Sequence, residues 1–558
     1  YDNADIVDED FNTYDVTGGR IAVLWNISDD WSALMSHVTE NSELEGSWDT
    51  DPDLGDYKIT RFVDEMRDDD WYSSAFTLKG DLGFADLSAT VTHYGRDIVY
   101  LWDNHAYSQY KDAYYGYGLY DTDYTRSNIF NDQEQQRDAA EIRLVSKGDS
   151  KLLWMAGAYW EDVYDEWYYG AGYPDYMSTD AAYYANYWAC YYANYYDFVD
   201  CPIDTTVGYS DTFKRSVEQT AVFGEVAYDV TDKLTLTAGM RWSEFKRQTY
   251  NRDAFPEGLP PFSGGGMSAN GSIQSQGKSD DILYKFSASY DIDDDKMVYA
   301  LFSQGFRIGG PNSPRAVATG EVPSSFDADF MDNYEVGLKS SWMQNRMQVN
   351  AQYFQMKWSD MQIAHWGGVG PWWVGGTVNA GDAQSSGLEL DVKYQISDNL
   401  NISGSAIFTD AKFTEQYESP GGDVYRNGMK MPNSPDRKGY LGISYNQPNV
   451  AGGDLWVYYG ISYQSESWNR TSNIIANDTN GLSPSHSNSN LSIGLDDLGN
   501  GWDVSLQIDN VFDQTTYSFV NTDSNNYADL FGSNRQRNVR NLAQPRTTWL
   551  VVRKTFGE

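Results

Sequence analysis

The sequence predicts an all-β protein, an antiparallel up-and-down β-barrel that crosses a membrane with its strands. Two observations lead there: apolar and polar residues alternate with period two, and the connections alternate between tight turns and long loops. Both recur from about residue 18 to the last residues, with no Pro- or Gly/Ser-rich linker and no change of period, so residues 1–558 are expected to form one domain.

The alternation is clearest over 233–242. Leu234, Leu236, Ala238, Met240 and Trp242 share one face, and Thr235, Thr237, Gly239 and Arg241 share the other. A large apolar face suits lipid and a small polar face suits a wet lumen, the inversion expected of a membrane barrel. The pattern returns where Val504, Leu506 and Ile508 alternate with Ser505, Gln507 and Asp509, and where Val349, Ala351 and Tyr353 alternate with Gln348, Asn350 and Gln352. About nineteen such segments can be placed, most of them about 9 to 15 residues long, enough to cross a thin membrane at a tilt. Closing so many long strands on themselves also removes edges that would aggregate.

Tight polar turns are expected at 28–30, 148–150, 231–233, 291–295, 344–345 and 397–399. Long loops are expected at about 96–136, 166–212, 249–280, 307–330, 362–383, 415–436, 467–487 and 512–544. That asymmetry matches short periplasmic and long extracellular connections. The last strand, 547–556, sets Thr548, Leu550, Val552, Lys554 and Phe556 on one face; Lys554 interrupts the apolar pattern, and Gly557 and Glu558 follow the terminal aromatic.

Composition sets limits. Mean hydropathy is −0.60, and no run approaches the roughly 20 apolar residues that a spanning helix needs. Aromatic residues make up 15 % of the chain, with 44 Tyr and 19 Trp, a supply that interfacial girdles and ligand-contacting loops would both use. A net charge of −41 excludes nucleic acid as a partner, because a phosphate backbone is held by Lys and Arg. The two cysteines, Cys190 and Cys201, are close enough for a local disulfide in an oxidising compartment, with two free thiols as the alternative. No signal peptide opens the chain at Tyr1, as in a processed or partial exported protein.

Several phrases carry a family resemblance. They are "AVFGEVAYDVTDKLTLTAGMRW" (221–242), "MVYALFSQGFRIGG" (297–310), "NYEVGLK" (333–339), "NAGDAQSSGLEL" (379–390), "TDAKFTE" (409–415), "DNVFD" (509–513) and the closing "PRTTWLVVRKTF". In this order they resemble the barrel portion of the TonB-dependent receptors over nearly the whole chain from about Gly18. Physically, Gly-Leu-Glu-Leu is expected to open a strand and Asn-Val-Phe-Asp to close one.

The resemblance implies a barrel of the 22-strand receptor type in the outer membrane of a Gram-negative bacterium, with lipid around it. It also implies import of a scarce small extracellular ligand, most commonly an iron–siderophore complex. Carbohydrate, cobalamin, another chelate, or a surface-scaffold role remain as alternatives, and a surface lipoprotein is a further conceivable partner. The family's N-terminal plug, and the preceding segment that engages the TonB-type energy-transducing protein, find no match here. The chain is therefore expected to be a partial barrel, with 1–18 an inter-strand loop, a natural plugless pore being the alternative.

Ligand candidates follow from chemistry rather than from the matching phrases. The segment from Tyr164 to Cys201 is packed with aromatics, among them Trp167, Tyr168, Tyr169, Tyr187 and Trp188, whose flat faces suit rings and whose hydroxyls add hydrogen bonds; a loop that packs on itself is the other reading. "HWGGVGPWW" (365–373) can project Trp366, Trp372 and Trp373 over the mouth or use them for packing. Arg307 is a fork for an anionic ligand or for a neighbouring carboxylate. Asp49, Asp51 and Asp53, or Asp121 and Asp123, have a calcium-compatible alternation but lack the closing Glu of a known loop. No catalytic residues, cofactor or metal centre are expected: His37, His93, His105, His365 and His486 are dispersed, and no nucleophile–base pairing or phosphate loop is found.

Overall fold

The computed structural model describes residues 11–51, 54–55, 57–104, 127–148, 150–172, 207–254, 271–312, 314–317, 320–369, 372–418, 424–471, 474, 481–522 and 538–555. These form one 19-stranded antiparallel sheet, each strand pairing with the next in sequence. The strands are β1 (Tyr14–Asn26), β2 (Trp31–Glu45), β3 (Met66–Asp81), β4 (Ala85–Asp103), β5 (Asn128–Ser146), β6 (Leu152–Gly172), β7 (Val207–Thr231), β8 (Leu234–Ala254), β9 (Gly271–Asp293) and β10 (Lys296–Arg307). They continue with β11 (Asp329–Trp342), β12 (Met347–Ser359), β13 (Ala383–Gln395), β14 (Leu400–Phe413), β15 (Arg437–Val450), β16 (Gly453–Gln464), β17 (His486–Asp496), β18 (Trp502–Asp509) and β19 (Thr547–Lys554). Among the described residues β1 pairs only with β2, and β19 only with β18.

All six anticipated tight turns join neighbouring strands, and 82–84, 451–452 and 497–501 are further short connections. Local chemistry builds them. Thr231 Oγ1 accepts from the amides of Lys233 (3.2 Å) and Leu234 (3.0 Å), and Ser397 Oγ accepts from those of Asn399 (3.3 Å) and Leu400 (3.1 Å). Met343, Gln344 and Asn345 all take positive φ to reverse the chain between β11 and β12.

The outer face of the sheet is apolar. Val222, Val226, Tyr228, Leu236, Met240, Ile282, Tyr284, Phe286 and Tyr290 are exposed on it, the arrangement of a surface that meets hydrocarbon. Beyond Trp242 the outer face of β8 turns charged at once: Lys246 pairs with Glu218 at 2.6 Å and Glu244 with Lys278 at 2.9 Å. Twelve residues of β8 follow Trp242, about 40 Å of strand at roughly 3.3 Å per residue and about 30 Å along the normal at a usual barrel tilt. Strands β5 to β9, of 19 to 25 residues, therefore stand as a tall wall on the long-loop side, whereas β18 and β19, of 8 residues each, only span the apolar band.

Several boundaries differ from the sequence reading. The loop expected at 166–212 is shorter, because pairing continues in β6 to Gly172 and starts again in β7 at Val207; Trp167, Tyr168 and Tyr169 are strand residues, not loop residues. The loops expected at 96–136 and 249–280 are likewise invaded by β4, β5, β8 and β9. In β8 and β9 the added residues are mostly polar on both faces, and in β4 the run 98–102 is apolar on both, so the apolar–polar alternation is lost while the ladder is not. The first strand opens at Tyr14, inside what was read as a loop. The segment 362–383 holds a hairpin, Gln362–Val369 against Trp372–Asn379. Gly387 does not open a strand; it lies within β13, where an added Cβ would sit 2.3 Å from the Phe408 carbonyl oxygen and 2.6 Å from the Phe354 ring. Asn-Val-Phe-Asp does end β18: Asn510 and Asp513 take positive φ, and Asn510 Nδ2 donates to the carbonyls of Gln514 and Gln544 at 2.9 and 3.3 Å.

Candidate functional site at the mouth of the barrel

The mouth lies on the long-loop side, above the apolar band. Two structures shape it: the base of the 362–379 hairpin, and the lumen face of the tall wall.

The hairpin base is bolted to the segment 308–328 by side chains that satisfy buried backbone groups. Asp329, fully buried at 1 % exposure, accepts from Arg307 Nε at 3.0 Å, from Arg307 Nη2, from Trp358 Nε1 at 2.9 Å and from the Gln362 amide at 3.0 Å. Burial alone would raise the Asp329 pKa, but these donors outweigh it and hold the carboxyl below its ordinary range. The Arg307 guanidinium also lies over the Trp358 ring, 4.6 Å from its centroid. Gln362 Nε2 donates to the carbonyls of Ile308 and Asp327, both at 3.0 Å, and Asn379 Nδ2 to those of Asp327 and Asp360, both at 2.9 Å. Asn312 Nδ2 donates to the Thr377 carbonyl and its Oδ1 accepts from the Thr377 amide, each at 2.7 Å. Beneath the hairpin Met361, Ile363, Ala383 and Phe413 form a small apolar core with Trp358, Tyr417 and Met431 around it. His365 meets Tyr417 through Nδ1 and lies 3.7 Å from Glu321 through Nε2, so three connections converge on one buried imidazole.

On the wall, residues of the parity opposite to Val222 and Met240 face the lumen. Trp167 stacks on Phe213 with ring centroids 4.2 Å apart. Next along this face Arg215 forks onto Asp165, which is 4 % exposed. Arg247 sits diagonally from Arg215, opposite Val217, with its guanidinium 6.0 Å from the Phe326 ring and against Gly310. Burial, and then the nearby Arg215 charge, push the Arg247 pKa below the ordinary arginine value. Farther round, Asp69 is held by Arg96 (Nε at 2.7 Å) and by Arg67 (2.8 Å); the Arg96 hydrogen bond chiefly lowers its pKa, against the opposing effect of burial.

The sequence candidates fare differently. Trp167 reaches the lumen face, but Tyr168 takes the outer face against Phe130, at 5.4 Å between centroids, and Tyr169 returns to the lumen parity. Tyr187, Trp188, Cys190 and Cys201 lie outside the described residues. Arg307 is committed to Asp329, the pairing alternative of the two readings. The backbones of Trp366, Trp372 and Trp373 lie in the hairpin, opposite Gly375, Val369 and Gly368. Asp49 pairs with Arg61 at 2.9 Å, whereas Asp53, Asp121 and Asp123 are outside the described residues, among which no group of three His, Cys, Asp or Glu is placed to hold a metal. Sequence reasoning missed Arg215, Arg247, Asp165 and Asp329. The signal was present: period two carried past the apolar band puts Phe213, Arg215, Val217 and Phe245, Arg247, Thr249 on the lumen parity.

The family model for "TonB dependent receptor-like, beta-barrel" matches residues 25–511. The chain belongs to the TonB-dependent receptor barrel family. Barrels of this family are those of Gram-negative outer-membrane receptors that bind ligands and work with TonB. A pesticin receptor of Yersinia enterocolitica is 28 % identical over 227 residues, 40 % of this chain and 30 % of that protein; the match thus spans about a third of the relative. Among solved structures, the ferric yersiniabactin uptake receptor FyuA of Yersinia pestis aligns with TM-score 0.71 at 15 % identity, covering 97 % of this chain and 70 % of that one. The siderophore receptor PiuA of Acinetobacter baumannii aligns with TM-score 0.66 at 15 % identity, covering 98 % and 75 %. At such identities the TonB-dependent receptor likeness speaks for the fold alone.

Proposed function

We propose that this chain is the barrel of a TonB-dependent outer-membrane importer of a scarce iron–siderophore complex, captured at the mouth described above. The observation that carries the reading is the family match over 25–511. Relatives and fold neighbours that handle iron chelates support the ligand class. In this reading the protein resides in the outer membrane with lipid against the apolar band, and its energy comes from a TonB-type partner acting through an N-terminal plug region. The edges of β1 and β19, unpaired among the described residues, are consistent with three further strands completing a barrel of about 22. Unpaired backbone facing hydrocarbon costs several kcal/mol per group, so both edges need partners.

The test is iron-limited growth and radiolabelled iron uptake by cells with and without the gene, supplied with single purified ferric siderophores. Uptake of at least one chelate that requires both the gene and TonB is expected. Equal uptake by both strains for every chelate, with loss of growth on a carbohydrate or cobalamin instead, would overturn the iron assignment.

A further inference from the structure

We infer that Arg247 and Arg215, on the lumen face of the tall wall, form the recognition site for an anionic group of the ligand. This rests on the import reading above and adds the charge of the cargo to it.

Three other arginines on this side of the barrel each hold a buried carboxylate. Arg307 has Asp329, Arg96 has Asp69 and Arg215 has Asp165. Arg247 differs. Its Nε is buried without a hydrogen-bond partner, and no carboxylate pairs with it among the described residues. Its surroundings are the Phe326 ring, the Gly310 backbone and the like charge of Arg215.

A guanidinium so placed loses hydration and gains repulsion, an arrangement that persists where a transient anion relieves both. The register supports a shared site. Arg215 opposes Thr249 and Arg247 opposes Val217, so the two side chains are diagonal neighbours on one face of β7 and β8, roughly 7–8 Å apart at the backbone. The Arg247 fork, with the Arg215 charge beside it while Arg215 Nε and Nη2 stay on Asp165, can grip one carboxylate or a pair of chelate oxygens. The Trp167–Phe213 stack continues the same face and offers a flat apolar surface beside the charge. With a net charge of −41 the protein as a whole repels anions, so a local excess of arginine charge is what such a site needs to select for one.

The experiment uses the intact receptor in outer membranes, with Arg247→Gln and Arg247→Lys beside it. Tryptophan fluorescence is titrated with two anionic probes, ferric citrate and a ferric tris-catecholate, and with a neutral ferric tris-hydroxamate. Expected is a preference for an anionic probe that falls about tenfold in R247Q and is partly kept in R247K, with the neutral probe unchanged. Thermal stability separates binding from folding. Since Arg247 has no carboxylate to strand, R247Q should melt no lower than the parent, whereas Arg215→Gln should melt lower because Asp165 is left unpaired. If the neutral chelate binds as well as the anionic ones, or R247Q binds all three like the parent, the anion site falls while import stands. If no ferric chelate of either charge binds, both readings fall.

Discussion

Asp329 is where a single atom change tests the architecture of the mouth. Its Oδ2 gathers Arg307, Trp358 Nε1 and the Gln362 amide, and Oδ1 takes only Arg307 Nε at 3.0 Å. Asp329→Asn keeps the shape but leaves one acceptor oxygen, and its NH2 must face a donor. Hydrogen bonds to a charged acceptor exceed neutral ones by about 1 kcal/mol, which applies to Trp358 and to Gln362. The Arg307 side chain is 50 % exposed, so its ion pair is discounted to about 1 kcal/mol more. The total is about 3 kcal/mol, a little over a hundredfold in a local opening equilibrium. Hydrogen exchange read by peptide mass spectrometry should show the Gln362–Val369 and Trp372–Asn379 peptides exchanging about a hundredfold faster, with the β7 and β8 peptides unchanged. Hairpin rates within about threefold of the parent would refute the claim that Asp329 bolts the hairpin down.

Other perturbations probe other levels of the structure. Gly387→Ala should sharply lower the heat-modifiable folded fraction on gels, because its Cβ meets the Phe408 carbonyl oxygen at 2.3 Å, a backbone atom that cannot turn aside. Leu236→Arg, on the apolar outer face, should destabilise insertion into vesicles by about 2–4 kcal/mol, whereas Thr237→Arg, toward the lumen, should insert almost normally; the reverse order would invert the assignment of faces. Asp69 has a folded pKa below its ordinary 3.8, so its contribution is fully present above that value and is lost as pH falls through the lower folded one. Protection against exchange at the Met66 end of β3, corrected for the intrinsic rate at each pH, should thus stay constant from pH 7 to about 4 and fall only below it, while Asp69→Asn should show that loss of protection already at pH 7.

The barrel core was legible because its physics is repeated. Each crossing must put apolar side chains toward lipid every second residue, and 222–230 or 234–242 announce this without help. Turns were legible where Thr231 or Ser397 caps its own backbone. The wall above the membrane was not, since Glu244, Lys246 and Gln248 alternate with Phe245, Arg247 and Thr249, and a strand wet on one face and polar on the other looks like loop. For the same reason Trp167 and Tyr168 read as neighbours in one aromatic patch, although consecutive strand residues must point to opposite faces. Arg307 could be seen as a fork, but its partner, 22 residues away, depends on the register between β10 and β11. Long-range pairing of this kind is written in the fold rather than in any local phrase.

The wall has one further consequence. From Tyr290 back to Gly271 the pairing of β9 with β8 runs through twenty consecutive partners without a slip. Side chains carried on such a ladder are already ordered before anything binds, so Phe245 and Arg247 escape much of the cost, about 0.5–1.5 kcal/mol per side chain, that loop residues meet when they are immobilised. Under the proposed import function, a ligand arriving at this surface finds a rigid die, not a closing hand. Among related ligands, the rate of leaving, more than the rate of arrival, should then separate good cargo from poor.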